Sequence, residues 1–238
     1  MDTRIYIMTH KKCSYPDEKC YYPLQVGAAL HESLHYERDD TGDNISEKND
    51  YYCELTGLYW IWKNCNCDNV GICHYRRYYS DDDAERILYQ DEYEELLKKY
   101  DIIIPRTTYT SMPTYPFFSI SHKSPALNIS RNYIAENCPS YLESFEWNMN
   151  KYFFSGCNML VTKKALFDKY CEWLFPLLFC VEKELRPDEI KDSYQRRVMG
   201  FLSERLMRVW LTMQDARIKE VRMVQTDVPG AKITYGSD

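Results

Sequence analysis

The chain is 238 residues long, 45% hydrophobic and 28% charged, which suits a globular domain large enough to bury a substantial core. Its formal net charge of −6 argues against a nucleic-acid partner, because phosphate contacts demand a basic surface. No segment approaches the ~20 apolar residues that span a bilayer, and the opening MDTRIYIMTHKK lacks an apolar run of signal-peptide length, so a cytoplasmic location is expected.

Residues Arg4 to Met8 form a short apolar run that ends in Thr9-His10-Lys11-Lys12. This reads as a first strand opening onto a polar loop at its carboxyl end, the edge where open α/β sheets bind ligands. A polar turn over Asp39 to Asn44 is followed by Ser46 as a candidate N-cap. Beyond it Tyr51, Leu55, Leu58 and Trp62 recur at helical spacing, so residues 47–64 are expected to form one amphipathic helix. Val70 to Cys73 is a compact apolar strand candidate that empties into His74-Tyr75-Arg76-Arg77-Tyr78-Tyr79.

Asp91 to Lys99 reads as a short helix, and Asp101 to Pro105 as a buried strand closed by proline. Residues 106–125 hold three prolines without periodicity and read as a long loop. Tyr152 to Thr162 is a strand candidate interrupted at Ser155-Gly156. A helix is expected from Lys163 to Leu185 with Pro176 inside it. Arg186 to Asp192 reads as a polar break, Tyr194 to Gln214 as a further helix and Ile218 to Gln225 as a last strand. Residues 226–238 are expected to form a frayed tail. Strands alternating with helices imply a three-layer α/β domain.

The ten cysteines include no C-x-x-C pair to begin a zinc site. Cys73, Cys157, Cys171 and Cys180 lie in apolar stretches, where free Cys behaves as a small hydrophobe. Reduced thiols are expected. The 22 tyrosines suit a sugar-binding cleft, but core packing accounts for most of them.

The segment His74-Tyr75-Arg76-Arg77 places two arginines and a histidine at a strand's carboxyl edge, a setting made for an anion. Guanidinium groups grip phosphate in a fixed fork geometry, and two charged hydrogen bonds would contribute roughly 3–6 kcal/mol. Thr9-His10-Lys11-Lys12 is a second cationic cluster, and the two would share one cleft if their strands are neighbours. Asp81-Asp82-Asp83 has Asp-x-Asp spacing suited to Mn²⁺ or Mg²⁺, yet it precedes a helix rather than ending the apolar strand, and reads better as an exposed acidic turn. Glu204 is a candidate base, since attack by a hydroxyl needs a carboxylate or similar group to take its proton. Arg196, Arg197, Arg205 and Arg208 give its helix a basic side, suited either to a core-facing helix or to peripheral contact with an anionic membrane.

Several phrases occur in a telling order. They are Tyr22-Pro23-Leu24-Gln25-Val26-Gly27-Ala28, Asp43-Asn44-Ile45-Ser46, the run from Glu54 to Asn64, and Gly71-Ile72-Cys73-His74-Tyr75-Arg76-Arg77-Tyr78. Asn158-Met159-Leu160-Val161, the run from Tyr170 to Phe175, and Gly200-Phe201-Leu202-Ser203-Glu204-Arg205-Leu206 continue it. Together, over roughly residues 4–212, they resemble the bacterial capsular and exopolysaccharide glycosyltransferase family first catalogued as domain of unknown function 4422. The run before Asn158 and the loop from Thr107 to Ser124 depart from the pattern.

The resemblance implies a GT-A-like three-layer α/β/α domain with a central, mostly parallel sheet. It would span residues 1–225, with a nucleotide-binding half over 1–105 and an acceptor half over 106–225. The implied activity is transfer of a hexosyl unit from a nucleotide-sugar donor, UDP-linked and with UDP-galactofuranose among the candidates. The implied acceptor is a lipid-linked surface glycan met at the inner face of the membrane. On this reading Thr9, His10, Lys11, Asn44 and Asn49 line the nucleotide pocket, and His74, Arg76 and Arg77 hold the diphosphate in place of a metal, so that no cofactor is required. Glu204 serves as base if the reaction inverts, a retaining mechanism needing none; Asn158 and Arg205 lie on the acceptor side, and Tyr75 and Trp60 are supports. Two other readings compete: a non-catalytic module of a polysaccharide assembly complex, and a metal-dependent nucleotidyltransferase or nuclease built on Asp81 and Asp83.

Overall fold

In a computed structural model, residues 1–83 and 86–226 are described. The expected tail therefore lies, apart from Thr226, outside the described residues. Ten strands are seen among them: β1 (Thr3–Thr9), β2 (Tyr21–Gln25), β3 (Glu37–Arg38), β4 (Asn69–His74), β5 (Arg77–Ser80), β6 (Ile102–Pro105), β7 (Thr108–Tyr109), β8 (Phe153–Phe154), β9 (Val161–Lys163) and β10 (Ile218–Gln225). The helices are α1 (Asn49–Tyr52), α2 (Leu55–Asn64), α3 (Gln90–Lys99), α4 (Thr114–His122), α5 (Ala126–Asn137), α6 (Leu142–Met149), α7 (Lys164–Leu185), α8 (Ser193–Arg196) and α9 (Val198–Thr212).

Eight strands make one mixed sheet in the order β3-β2-β1-β4-β5-β10-β6-β9, and β9 also pairs with β4. The half β3-β2-β1-β4 is parallel throughout. The other half is not, because β5 runs antiparallel to β4 and β10, and β9 antiparallel to β4 and β6. The expected parallel character is thus confined to the first half and to the β6–β10 pair. Strands β9 and β10 come from the second half of the chain but pair with β4, β5 and β6, so both halves build the sheet.

Side chains alternate across a strand, and the two faces of the sheet bury separate cores. Tyr6, Met8, Leu24, Ile72, Ile102 and Ile104 pack against α2, α5, α6, α7 and α9. Ile5, Ile7, Cys73, Ile103 and Val161 face the other way, against Tyr21, Tyr78, Tyr79, Tyr93 and Leu97. Among the described residues only α3 covers that second face, so the three layers are unequal. The tyrosines there bury their rings and pair their hydroxyls: Tyr21 donates to the Leu88 carbonyl at 2.8 Å, and Tyr79 to that of Ile72 at 3.0 Å. Much of the high tyrosine content is therefore core.

Four expectations need correction. The helix expected over 47–64 is broken at Cys53, whose φ is +54° and ψ −131°, leaving α1 and α2 separate. Side chains satisfy the carbonyl freed there: Asn49 Nδ2 and Thr56 Oγ1 donate to Cys53 O at 2.8 and 3.1 Å. Ser46 does not cap a helix; its hydroxyl donates to Asp39 Oδ1 at 2.5 Å and accepts from Ala29 N. The helix expected over 194–214 is likewise two, meeting at Arg197. Finally, the expected loop 106–125 contains α4, because Pro113 precedes it and Pro116 falls in its first turn, where a missing N–H costs nothing.

Candidate functional site

Strands β1 and β4 are parallel neighbours, with Met8 opposite His74. The two cationic segments that follow them therefore emerge side by side at the carboxyl edge, where ligands enter α/β sheets. A cleft of about 650 Å³ opens there, lined by Met8, His10, Val26, Asn49, Asp50, Cys53, Glu54, His74, Tyr75, Arg77, Ser193, Arg196 and Arg197. The two helix breaks deliver Asn49–Glu54 and Ser193–Arg197 to its rim, so irregularities that periodicity hid are what complete the site.

The floor is shaped by the turn after β2. Gly27 has φ +66°, and a Cβ there would lie 2.6 Å from Asn49 Cγ. Only glycine allows this close approach at low cost. The buried Asp39 carboxylate fixes the turn by accepting from Gly27 N at 2.9 Å and Ala28 N at 3.0 Å.

Arg77, Arg196, Arg197 and His10 give the cleft its positive side, Asp50 and Glu54 its negative one. Among the described residues the Arg77 guanidinium has no hydrogen bond or ion pair. Arg196 Nε donates to Ile190 O at 2.8 Å, and its NH1 reaches Asp50 at 3.4 Å. Arg197 rests on the Phe201 ring at 5.4 Å and donates to Cys53 Sγ at 3.4 Å. Tyr75 gathers the neighbouring cations: its ring lies 5.0 Å from Lys11 Nζ, 5.3 Å from Arg76 and 5.5 Å from the His10 ring, edge-on. Burial, then Lys11 and further cations, lowers the His10 pKa.

A tight turn closes the inner wall. Cys157 and Asn158 are both left-handed, with φ of +70° and +49°, a conformation that non-glycine residues keep only where neighbours hold them. His74 Nε2 lies 2.7 Å from Cys157 O, and Glu204 Oε1 accepts from Cys157 N at 2.7 Å. Asn158 Nδ2 donates to Glu54 Oε1 at 2.7 Å and Gly200 O at 3.0 Å, while Ser203 Oγ donates to Asn158 Oδ1 at 2.8 Å.

These bonds reassign several expected ligands. Burial lowers the His74 pKa despite the pull of Glu54 and the Cys157 carbonyl. A neutral imidazole has one N–H, and here it goes to Cys157, so His74 has no donor left for a phosphate. Thr9 is buried and its hydroxyl is spent on Lys11 O at 2.5 Å. Asn44 lies outside the cleft, holding its own turn through Gly42 O and Ser46 N. Asn158 and Arg205, expected to face an acceptor, are 0% and 2% exposed. Arg205 sits 4.0 Å from the centre of the Phe154 ring and binds Phe201 O and Glu204. Burial pushes the Glu204 carboxyl up to about 7, against the opposing pull of Arg205 and the Cys157 N–H.

The basic side of α8 and α9 is not a solvated stripe. Arg196 and Arg197 turn into the cleft, Arg205 is buried, and Arg208 bridges Thr107 and Glu220. Trp60 is a support, donating to Thr41 Oγ1 at 2.9 Å. The antiparallel run of β5 carries Asp81–Asp83 to the opposite edge of the sheet, where Asp81 faces Arg86 at 3.9 Å. Among the described residues no group of three His, Cys, Asp or Glu side chains is placed to hold a metal ion, and no helix is long and apolar enough to cross a membrane. Glu54, Cys53 and Asp50 were not singled out from the sequence as site residues; the Glu54-Leu55-Thr56-Gly57 phrase was the available signal.

The family model described as Domain of unknown function (DUF4422) matches residues 4–215. A solved apo structure of WbbM, a bifunctional glycosyltransferase, is similar, with a TM-score of 0.81 and 26% sequence identity. The similarity covers 100% of this chain and 48% of that one, so the chain spans about half of that protein's length. No curated protein matches. The chain belongs to the DUF4422 family.

Proposed function

We propose that this member of the DUF4422 family transfers a sugar from a nucleotide-sugar donor to a glycan acceptor. The observation that carries the reading is the convergence of Arg77, Arg197, Arg196 and His10 on one cleft at the carboxyl edge of parallel strands. The similarity to a bifunctional glycosyltransferase supports a sugar-transfer reading of that cleft. The donor diphosphate lies against Arg77 and Arg197, with His10 and Lys11 beside Tyr75 at the nucleotide end. As the acceptor hydroxyl attacks the anomeric carbon, the bond to the diphosphate breaks and negative charge grows on the leaving phosphate. Preorganised guanidinium groups stabilise such charge at the moment it develops. One of the two carboxylates that meet at the Cys157–Asn158 turn, Glu54 or Glu204, accepts the hydroxyl proton.

On this proposal the arginines neutralise the diphosphate without a divalent metal. The donor is a UDP-hexose, with UDP-galactofuranose included, and the acceptor is a lipid-linked surface polysaccharide met at the inner face of the membrane. The test is release of free nucleotide from UDP-galactose, UDP-glucose, UDP-galactofuranose, GDP-mannose and dTDP-rhamnose, with and without EDTA. Turnover of one donor that survives EDTA is expected. No release from any of them contradicts the reading and leaves a non-catalytic module of an assembly complex.

A further inference from the structure

We infer that Glu54 is the catalytic carboxylate of this cleft, and that Asn158 is the residue that positions it. The inference rests on the transferase reading and deepens it. Two carboxylates meet the Cys157–Asn158 turn, and their surroundings differ. Glu204 has both oxygens committed: Oε1 accepts from Cys157 N at 2.7 Å, and Oε2 from the buried Arg205 at 2.7 Å. It does not line the cleft. Its bonds tie α9 to the turn, and the turn in its other direction is tied to His74 at the end of β4. That is the work of a brace.

Glu54 lines the cleft. Its Oε1 accepts from Asn158 Nδ2 at 2.7 Å, and among the described residues its Oε2 makes no hydrogen bond. A general base needs one lone pair within reach of the attacking hydroxyl and a carboxylate that does not swing. One anchored oxygen and one open oxygen satisfy both needs. The anchor is itself fixed, because Asn158 is buried, its Nδ2 also donates to Gly200 O at 3.0 Å, and its Oδ1 accepts from Ser203 at 2.8 Å. Its left-handed φ of +49° is one that asparagine tolerates better than most residues. The backbone on the other side is held too: Glu54 follows the helix break at Cys53, with that residue's carbonyl bonded by Asn49 and Thr56. The groups that face Glu54 electrostatically are His74, Arg197, Cys53, Cys157 and Glu204. Arg197 lines the same cleft as Glu54.

The step balances within the cleft. The acceptor oxygen forms a bond to the anomeric carbon, the bond from that carbon to the phosphate oxygen breaks with its electron pair going to the diphosphate, and the hydroxyl proton passes to Glu54 Oε2. Water in place of the glycan gives slow donor hydrolysis by the same route.

The experiment compares Glu54→Gln, Glu54→Asp, Glu54→Ala and Glu204→Gln with the wild-type chain. Nucleotide release is followed with the donor that the wild type consumes, and UDP binding by thermal shift. Glu54→Gln should lower kcat about 10²–10⁴-fold while leaving nucleotide affinity within about threefold, and added formate should restore part of the rate to Glu54→Ala. Glu54→Asp, which keeps the carboxylate on a shorter arm, should retain more activity than Glu54→Gln. Glu204→Gln should lower thermal stability and cost less than about tenfold in kcat. Wild-type turnover in Glu54→Gln, or loss of turnover in a folded, nucleotide-binding Glu204→Gln, overturns the inference and leaves the transferase reading standing. A wild-type chain that consumes no donor overturns both.

Discussion

His74 and Glu204 hold opposite ends of the same residue: one is 2.7 Å from the Cys157 carbonyl oxygen, the other accepts from the Cys157 amide at 2.7 Å. The end of β4 and the middle of α9 are thus joined through a single strained turn. Asn158, next in the chain, reaches from that turn to Glu54. The cleft's cationic wall and its carboxylate are consequently set relative to each other by two adjacent residues, and the following expectations test that arrangement.

The Arg77 guanidinium makes no hydrogen bond or ion pair among the described residues, so its removal should cost more in binding than in stability. A charged hydrogen bond contributes about 1.5–3 kcal/mol, which corresponds to a loss of about 10–150-fold in nucleotide diphosphate affinity for Arg77→Ala. Arg77→Lys should recover only part of it, since an ammonium lacks the planar fork. Calorimetric titration with UDP reads the affinity, and urea denaturation should show at most a small change of midpoint.

Asn158→Ala should be destabilising. It deletes bonds to Glu54, Gly200 and Ser203 at a buried site, although Ser203 Oγ keeps its bond to Gly200 O at 2.9 Å. Such losses cost about 1–3 kcal/mol for each orphaned group, and partial relaxation should bring the total to roughly 2–4 kcal/mol. A urea midpoint within error of the wild type would show that Asn158 does not hold the turn.

At Gly27 a methyl group meets Asn49 at 2.6 Å on a backbone with φ +66°. Gly27→Ala should cost roughly 1–3 kcal/mol in stability and weaken nucleotide binding, because Asn49 must move within the cleft. Differential scanning with and without UDP separates the two effects.

Burial, and then Arg205, lowers the His122 pKa from 6.5 to about 4. The ring is 5% exposed and stacks on Phe201 at 4.1 Å. A base depressed on folding contributes stability above its unfolded value of about 6.5 and loses it as pH falls toward 4. The full shift from 6.5 to about 4 corresponds to about 3 kcal/mol. His122→Phe keeps the ring stack without the titration, and should shrink the stability lost between pH 7 and 4.5 by about 2–3 kcal/mol. An unchanged pH dependence in urea denaturation would count against this.

Much of this fold is written locally. The strand over Ile218–Gln225 coincides with its expected span, and β1, β4, α3 and α7 differ from theirs by a residue or two. Alternation and helical spacing carry that information. The breaks at Cys53 and Arg197 are not legible, because each interrupts an apolar pattern that would suit a continuous helix; at Cys53 the bonds from Asn49 and Thr56 to its carbonyl accommodate the break. Helix α4 was hidden by Pro113 and Pro116, which mark a loop by composition yet are harmless at a helix start. Helices α5 and α6 lie in a stretch for which the sequence raises no expectation. The same division runs through the site. The polar segments that carry His10 and Arg77 are legible at strand ends, whereas the bond from His74 to the Cys157 carbonyl is not. Glu54 is not legible either, since a lone carboxylate ahead of an apolar helix looks like solvated surface until Asn158 is brought against it from far along the chain.

The central claim is that arginines at the carboxyl edge of the sheet bind a nucleotide diphosphate. The most direct test is thermal shift of the wild-type chain and of Arg77→Ala with UDP, GDP, CMP and dTDP, each with Mn²⁺ and with EDTA. A ligand that binds only the folded state raises the apparent Tm by mass action. The expected result is a shift with UDP that survives EDTA in the wild type and collapses in Arg77→Ala. A shift that needs Mn²⁺ and persists in Arg77→Ala, or no shift with any nucleotide, would contradict the account.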